Sequence, residues 1–388
     1  MSRFDSLFGF IRDHYRSDAA IPLHAPAFIG QEKTYVMDTL DSTFVSSVGA
    51  YVDQFEQRMA AYTGSARAVA TVNGTAALQV ALRIAGVSAG DYVITQPLTF
   101  IATCNAIAYC SATPIFIDVD RTTLGLSPQA MDEWLQQNAQ LDDQGRCVHR
   151  ADGRVIRACL PMHTFGHPCD LDGLMTVCSR WHLGLVEDAA EALGSRYRGQ
   201  HAGTFGRLGT LSFNGNKILT TGGGGMILAN EADGQRAKHL TTTAKVPHPY
   251  EYDHDELGYN FRLPNLNAAL GCAQLEQLDV FLAEKRQLAA EYAEHLADSE
   301  LTFVSEPPHC ESNYWLNAVL CPNASARQAL LEASNQSGIM MRPVWRLMNE
   351  LTMYQQAPAG DLSEARWLAD HLVNLPSGVR ASIPSEAT

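Results

Sequence analysis

The chain has 388 residues, 46% of them hydrophobic and 18% charged, and its 28 Lys and Arg against 42 Asp and Glu leave a formal net charge of −14. This composition excludes a disordered or low-complexity chain, and the length calls for two domains or one large α/β unit with an appendage. The acidic balance argues against sequence-independent binding to nucleic acid or an anionic membrane, while leaving room for one local anion pocket.

The first residues, MSRFDSLFGFIRDHYRS, carry charges throughout and predict a short amphipathic helix, a helical extension over 1–20, rather than a signal peptide. No stretch approaches the roughly 20 apolar residues of a membrane helix. The nine cysteines, at 104, 110, 147, 159, 169, 178, 272, 310 and 321, form no C-x-x-C pair and mostly sit in apolar runs. They read as buried thiols of a reducing compartment, with no disulfide framework and no metal site, so a soluble cytoplasmic protein is expected.

From about residue 65, short β-branched runs alternate with helical patterns. Strands are predicted at 66–72, 91–96, 114–119, 154–160, 184–187, 208–213 and 225–229, and helices at 75–85, 101–110, 128–138 and 170–182. Such alternation gives a mostly parallel sheet of about seven strands with helices on both faces. The last two strands are joined by a Gly-rich segment without a helix, so one strand should run antiparallel. Near 246 the texture becomes rich in Pro, Tyr and Asp, and a long helix follows from Pro264 to Leu296 with leucines at helical spacing. Short strands at 303–305 and 314–320 and helices at 325–337 and 362–373 complete a smaller α+β domain. The expected division is 21–245 for the large domain and 246–388 for the small one, with a frayed polar tail after Pro376.

Three segments hold candidate chemistry. VNGTAAL (72–78) places Gly74 and Thr75 at a helix N-terminus, where free backbone N–H groups suit a phosphate; a Thr-capped turn explains the same residues without a ligand. In LVEDAAEALGS (185–195), Asp188 stands at the carboxyl end of a parallel strand, the ligand edge of α/β sheets, and an acid there can hold a proton on a heteroaromatic nitrogen. A helix-start carboxylate is the plain alternative. In TLSFNGNKILTTGGGGMILAN (210–230), Lys217 precedes four consecutive glycines that suggest a close backbone approach, and Ser212 offers a hydroxyl; a solvated lysine is the plain alternative. Together they make the set that pyridoxal 5′-phosphate needs: a lysine for the Schiff base, an acid for the ring nitrogen and a phosphate cradle. Phe100, just past a strand end, either stacks on the ring or packs in the core.

These segments resemble the DegT/StrS-type nucleotide-sugar aminotransferases of the aspartate-aminotransferase superfamily, PLP-dependent fold type I, from about Ile21 to Pro376. The resemblance implies Lys217 as the Schiff-base lysine and Asp188 as partner of the pyridine nitrogen. It also implies Phe100 as the stacking ring, and Gly74, Thr75 and Ser212 around the phosphate. GYNFRLPNLNAALG (258–271) resembles the segment that reaches a neighbouring subunit's cofactor, which implies a homodimer with shared sites and a role for Asn260 across it. The chain departs at Asn73, where many members have Ser, and at Glu191, where many have Gln or His near the ring hydroxyl. IPLHAPAFIG, STFVSSVGAYVDQFE and MRPVWRLMNELTMY are similar to the bacillosamine and legionaminic acid pathway aminotransferases. That likeness implies a UDP-linked 4-keto-6-deoxy-N-acetylhexosamine as acceptor and L-glutamate as donor. Candidate substrate contacts are Ser47 in an entrance loop, His163 at a strand end, and Arg342 and Arg346 flanking Trp345, since Arg forks suit diphosphates; a structural, hydrogen-bonded His163 and two solvated arginines around a core Trp explain the same residues without a ligand. Amination at C3, a GDP- or dTDP-linked sugar, and a non-catalytic binding protein on the same scaffold stay open. A dehydratase branch of the family replaces the lysine with His, and Lys217 argues against it.

Overall fold

The computed structural model describes residues 3–380. The predicted alternation is realised as β1 (Arg67–Thr71), β2 (Tyr92–Thr95), β3 (Thr113–Phe116), β4 (Ile156–Cys159), β5 (Gly184–Asp188), β6 (Leu208–Ser212) and β7 (Gly225–Ala229). They form one seven-stranded sheet in the order β1-β7-β6-β5-β4-β2-β3. β7 pairs antiparallel with both β1 and β6, and every other pairing is parallel. The exception has the cause read from the sequence: with no helix between β6 and β7 the chain must turn straight back.

Side chains alternate across the sheet. Val69, Val93, Ala158, Val186 and Ile227 face one layer with α4 (Gly74–Ile84), α5 (Ile101–Tyr109) and α8 (Glu231–Thr241). Their neighbours in each strand face the other layer, built by α3 (Ala50–Thr63), α6 (Pro128–Asn138), α7 (Leu171–Trp181) and the first half of α9 (Asn265–His295). Local capping starts several of these helices: Asn73, Ser127 and Asp170 accept from backbone amides three residues on, and Pro128 occupies the first turn of α6. All nine cysteines are free and buried.

The second, smaller sheet is antiparallel and runs Thr302–Phe303, Asn317–Leu320, Leu372–Leu375, Arg342–Pro343. Helix α1 (Asp5–Tyr15) buries Leu7, Phe8, Ile11 and Tyr15 against this sheet, the far half of α9 (Leu288, Tyr292) and Leu296 just beyond it. The long helix α9 therefore serves both cores.

Several elements lacked a clear periodic signal and are added by the structure: α2 (Glu32–Asp41), α3, α8 and the hairpin Ala139–Leu141/Cys147–His149. The predicted last helix stops at His371, because Leu372–Leu375 is drawn into the small sheet as a strand. The tail is corrected in part: Ser377 is fully buried, with its hydroxyl on Leu375 O and its amide on Leu23 O, while 381–388 lie outside the described residues. Because Ile11 is 0% exposed at the centre of the α1 contact, Ile11→Ala should cost about 2–4 kcal/mol. Urea unfolding of the variant against the wild type checks this.

Candidate active site

All parallel strands and β1 end at one edge of the sheet, so the residues just past those ends converge there. A cavity of about 390 Å³ opens at this edge, and Gly74, Thr75, Phe100, Asp188, Glu191, Ser212, Lys217 and Trp345 all line it. Eight residues separated by up to 271 positions in the chain are thus brought together. The turn after β1 is packed tightly on the start of β7: a Cβ at Gly225 would lie 2.5 Å from Asn73 C and O. A Cβ at Gly74 would lie 3.0 Å from that of Ser212. These approaches account for part of the glycine run.

Asn73 Oδ1 caps α4 through the Ala76 amide at 2.8 Å. The amides of Gly74 and Thr75, in the first turn, have no carbonyl partner within the helix and are placed to meet an anion beside the Ser212 hydroxyl. Asn73 thereby takes on the capping role open to a serine, which removes the difficulty posed by its departure from the family pattern.

Asp188 is 3% exposed, accepts from Thr103 Oγ1 at 2.8 Å and from the Ala190 amide at 3.2 Å, and burial pushes its pKa up. Both donors are neutral, so a cationic N–H group in the cavity would be the natural counterpart of the ionised form. Lys217 Nζ lies 3.4 Å from Glu191 Oε1 and 3.8 Å from the centre of the Trp315 ring. Glu191 accepts the Phe165 amide on its other oxygen at 2.9 Å, and burial raises its pKa to about 7 against the pull of the Lys217 ammonium. The second carboxylate at the site is thus partnered rather than stranded. Phe100 is half exposed into the cavity, which favours a ligand-facing ring over core packing, and it meets Trp345 edge-on at 6.3 Å.

Five expected residues do not line this cavity. His163 is fully buried, with Nε2 3.1 Å from Glu187 Oε2 and Nδ1 accepting from the Cys169 amide at 3.1 Å. It braces the β5 end from behind and is not placed to touch a substrate in the cavity. Arg342 is exposed and bonds Asn335, while Arg346 is exposed and pairs with Glu350 at 3.4 Å. Ser47 lies half-buried in the loop before α3, and exposed Asn260 accepts from Arg262 at 3.0 Å. Conversely, Thr103, Trp315, Asn214 and Asn216 reach the site without having been singled out. No motif marks them, since Trp315 comes from the small domain and Thr103 from inside a helix.

Residues 27–383 match the DegT/DnrJ/EryC1/StrS aminotransferase family, and the chain belongs to that family. It is 36% identical over 362 residues to the GDP-perosamine synthase of Escherichia coli O157:H7, covering 92% of this chain and 94% of that one. Among solved structures it is similar to the aminotransferase TlmJ from Streptoalloteichus hindustanus (26% identity, TM-score 0.83, 92% and 94% covered). It is also similar to S. venezuelae DesV in complex with a ketimine intermediate (28% identity, TM-score 0.79, 89% of each chain). The chain is a PLP-dependent sugar aminotransferase of fold type I. Among the described residues no helix is long and apolar enough to cross a membrane.

The buried Asp188 with neutral donors only, the open helix N-terminus at Gly74 and the enclosed Lys217 fit this cofactor's ring nitrogen, phosphate and carbonyl in turn. Glu191 offers a direct check of the electrostatics. Its folded pKa, about 7, lies above the ordinary 4.5, so the native state binds the extra proton and loses stability as pH rises between those values. Glu191→Gln should therefore be more stable than the wild type, by a margin that grows from pH 4.5 to 7, levels off above 7 and reaches on the order of 3 kcal/mol. Chemical denaturation of the cofactor-free proteins across that range reads it.

Proposed function

We propose that this protein transfers an amino group from L-glutamate to the C4 carbonyl of a nucleotide-linked keto sugar, with UDP-2-acetamido-2,6-dideoxy-4-hexulose as acceptor. The observation that carries the amino transfer is the meeting of Lys217, Glu191 and Asp188 in one cavity with the helix N-terminus at Gly74 and Thr75, while the UDP-linked acceptor rests on the sequence likeness alone. A second reading, a GDP-linked keto sugar, is favoured by the likeness to GDP-perosamine synthase.

When bound, pyridoxal phosphate supplies a carbonyl that condenses with amines and a ring that accepts the electron pair of the reacting carbon. The chain does the rest. The Gly74 and Thr75 amides and the Ser212 hydroxyl would hold its phosphate, and the Phe100 ring would pack against its ring. Asp188 would keep a proton on its ring nitrogen, where the buried carboxylate would gain a cationic partner. Lys217 Nζ would take the proton from the substrate carbon, with Glu191 beside it to share that proton. Trp315 and Trp345 restrict water at the cavity wall.

In this proposal the sugar and its nucleotide reach Ser47, Arg342 and Arg346, none of which lines the inner cavity. In a homodimer with shared sites, Asn260 would serve the neighbouring subunit's cavity. Exposed apolar side chains flank the outlying residues: Phe44 and Val48 beside Ser47, Tyr252 and Leu257 before Asn260, exposed by 58%, 69%, 83% and 75%. Apolar side chains this exposed support the proposal that a partner covers this part of the surface.

Two experiments test the reading. The wild type, loaded with pyridoxal phosphate and glutamate, should aminate one member of a panel of UDP-, GDP- and dTDP-linked keto sugars, read by mass spectrometry. Lys217→Arg should show no turnover above background, and normal turnover in that variant would end the assignment. For the shared site, Lys217→Ala and Asn260→Ala subunits, each impaired alone, should recover about a quarter of wild-type activity after mixing, because half of the dimers then hold one intact site. No recovery after verified subunit exchange would remove Asn260 from the neighbouring site.

A further inference from the structure

Beside Lys217 stands a tryptophan supplied by the small domain. Trp315 presents its ring face to Lys217 Nζ at 3.8 Å, and its indole N–H donates to the carbonyl of Asn216 at 2.7 Å. One side chain thus touches both the amine of Lys217 and the backbone immediately before it. Trp315 is itself secured from two sides. Its amide donates to Asn313 Oδ1 at 2.8 Å, and its carbonyl accepts from Lys285 Nζ at 3.1 Å. Lys285 projects from α9, is 1% exposed and also bonds the Ser377 carbonyl. Asn313 Nδ2 in turn donates to the carbonyls of Glu191 and Leu193, both at 2.8 Å. The segment from Asn313 to Trp315 therefore sets the separation of Lys217 and Glu191 from outside the sheet.

We propose that Trp315 is a positioning residue that holds the free amine of Lys217 against Glu191, confining it by its ring face and by the bond to Asn216. The inference rests on the reading of Lys217 as the proton-carrying lysine. A lysine stem has four rotatable carbons, and an amine that must return to one place in every turnover benefits from a wall that restricts it. The charged or titratable groups near Lys217 are Glu191, Asp188 and His24, and all three stay constant across a series at position 315.

The series is the wild type, Trp315→Phe, which keeps a ring face, and Trp315→Leu and Trp315→Met, which do not. In the cofactor-free proteins, labelling of Lys217 by trinitrobenzenesulfonate at one fixed pH is followed by peptide mass spectrometry. The labelling rate should rise about threefold or more in the Leu and Met variants and stay near wild type in Phe. With cofactor bound, kcat should drop roughly tenfold in Leu and Met with KM little changed, and Phe should recover most of the loss. Wild-type labelling and wild-type kcat in folded Leu or Met variants would overturn the proposal, as would a Phe variant as impaired as Leu in both readouts. Failure of the wild type to hold pyridoxal phosphate at Lys217 would instead refute the proposed function. The labelling series would still decide whether Trp315 positions the amine.

Discussion

The return of the chain after Ser212 is the constraint from which the site follows. β6 runs out to the ligand edge, and in the absence of a crossover helix the chain must re-enter the sheet beside it as β7. The connection between them cannot leave that edge, so Lys217 is confined to the cavity whatever its own preferences. Re-entry is possible only because Gly225 lets the Asn73–Gly74 turn pass where a Cβ would lie 2.5 Å from its backbone. One backbone approach therefore joins the anion cradle to the lysine loop.

Charge at the site is arranged against the character of the whole molecule. With a net charge of −14, the protein offers a phosphate little long-range attraction. Among the described residues lining the cavity, Lys217 is the one basic side chain, and Arg342 and Arg346 stand outside it. What the cavity offers an anion besides Lys217 is backbone amides and a hydroxyl, which carry no charge that burial would penalise. Burial raises both Asp188 and Glu191, so the cavity is set to gain stability from a bound group that brings a positive N–H.

The segment that leads into the smaller sheet is part of the cavity rather than a cover for it. Through Asn313 and Trp315 it reaches the Glu191 loop and the lysine, and through Lys285 and Ser377 it is tied to α9. Because α9 packs on the sheet at one end and on α1 at the other, the geometry around Lys217 depends on packing that extends to the first helix of the chain.

Much of this was legible in the residues themselves. The strand–helix alternation, the antiparallel strand and the cavity-lining residues Gly74, Thr75, Phe100, Asp188, Ser212 and Lys217 could be read because each lies within a few positions of a strand end. Local rules for parallel sheets place such positions at one edge. The capping role of Asn73, the partnering of Glu191 by Lys217 and the arrival of Trp315 and Thr103 could not be read. His163 stood open between a ligand contact and a structural role, and packing alone decided it, turning its ring to the buried Glu187. These outcomes depend on which side chains from distant segments fill the remaining space. Periodicity and turn chemistry act over a few residues and so determine elements and edges, whereas long-range packing alone decides which donor meets which acceptor.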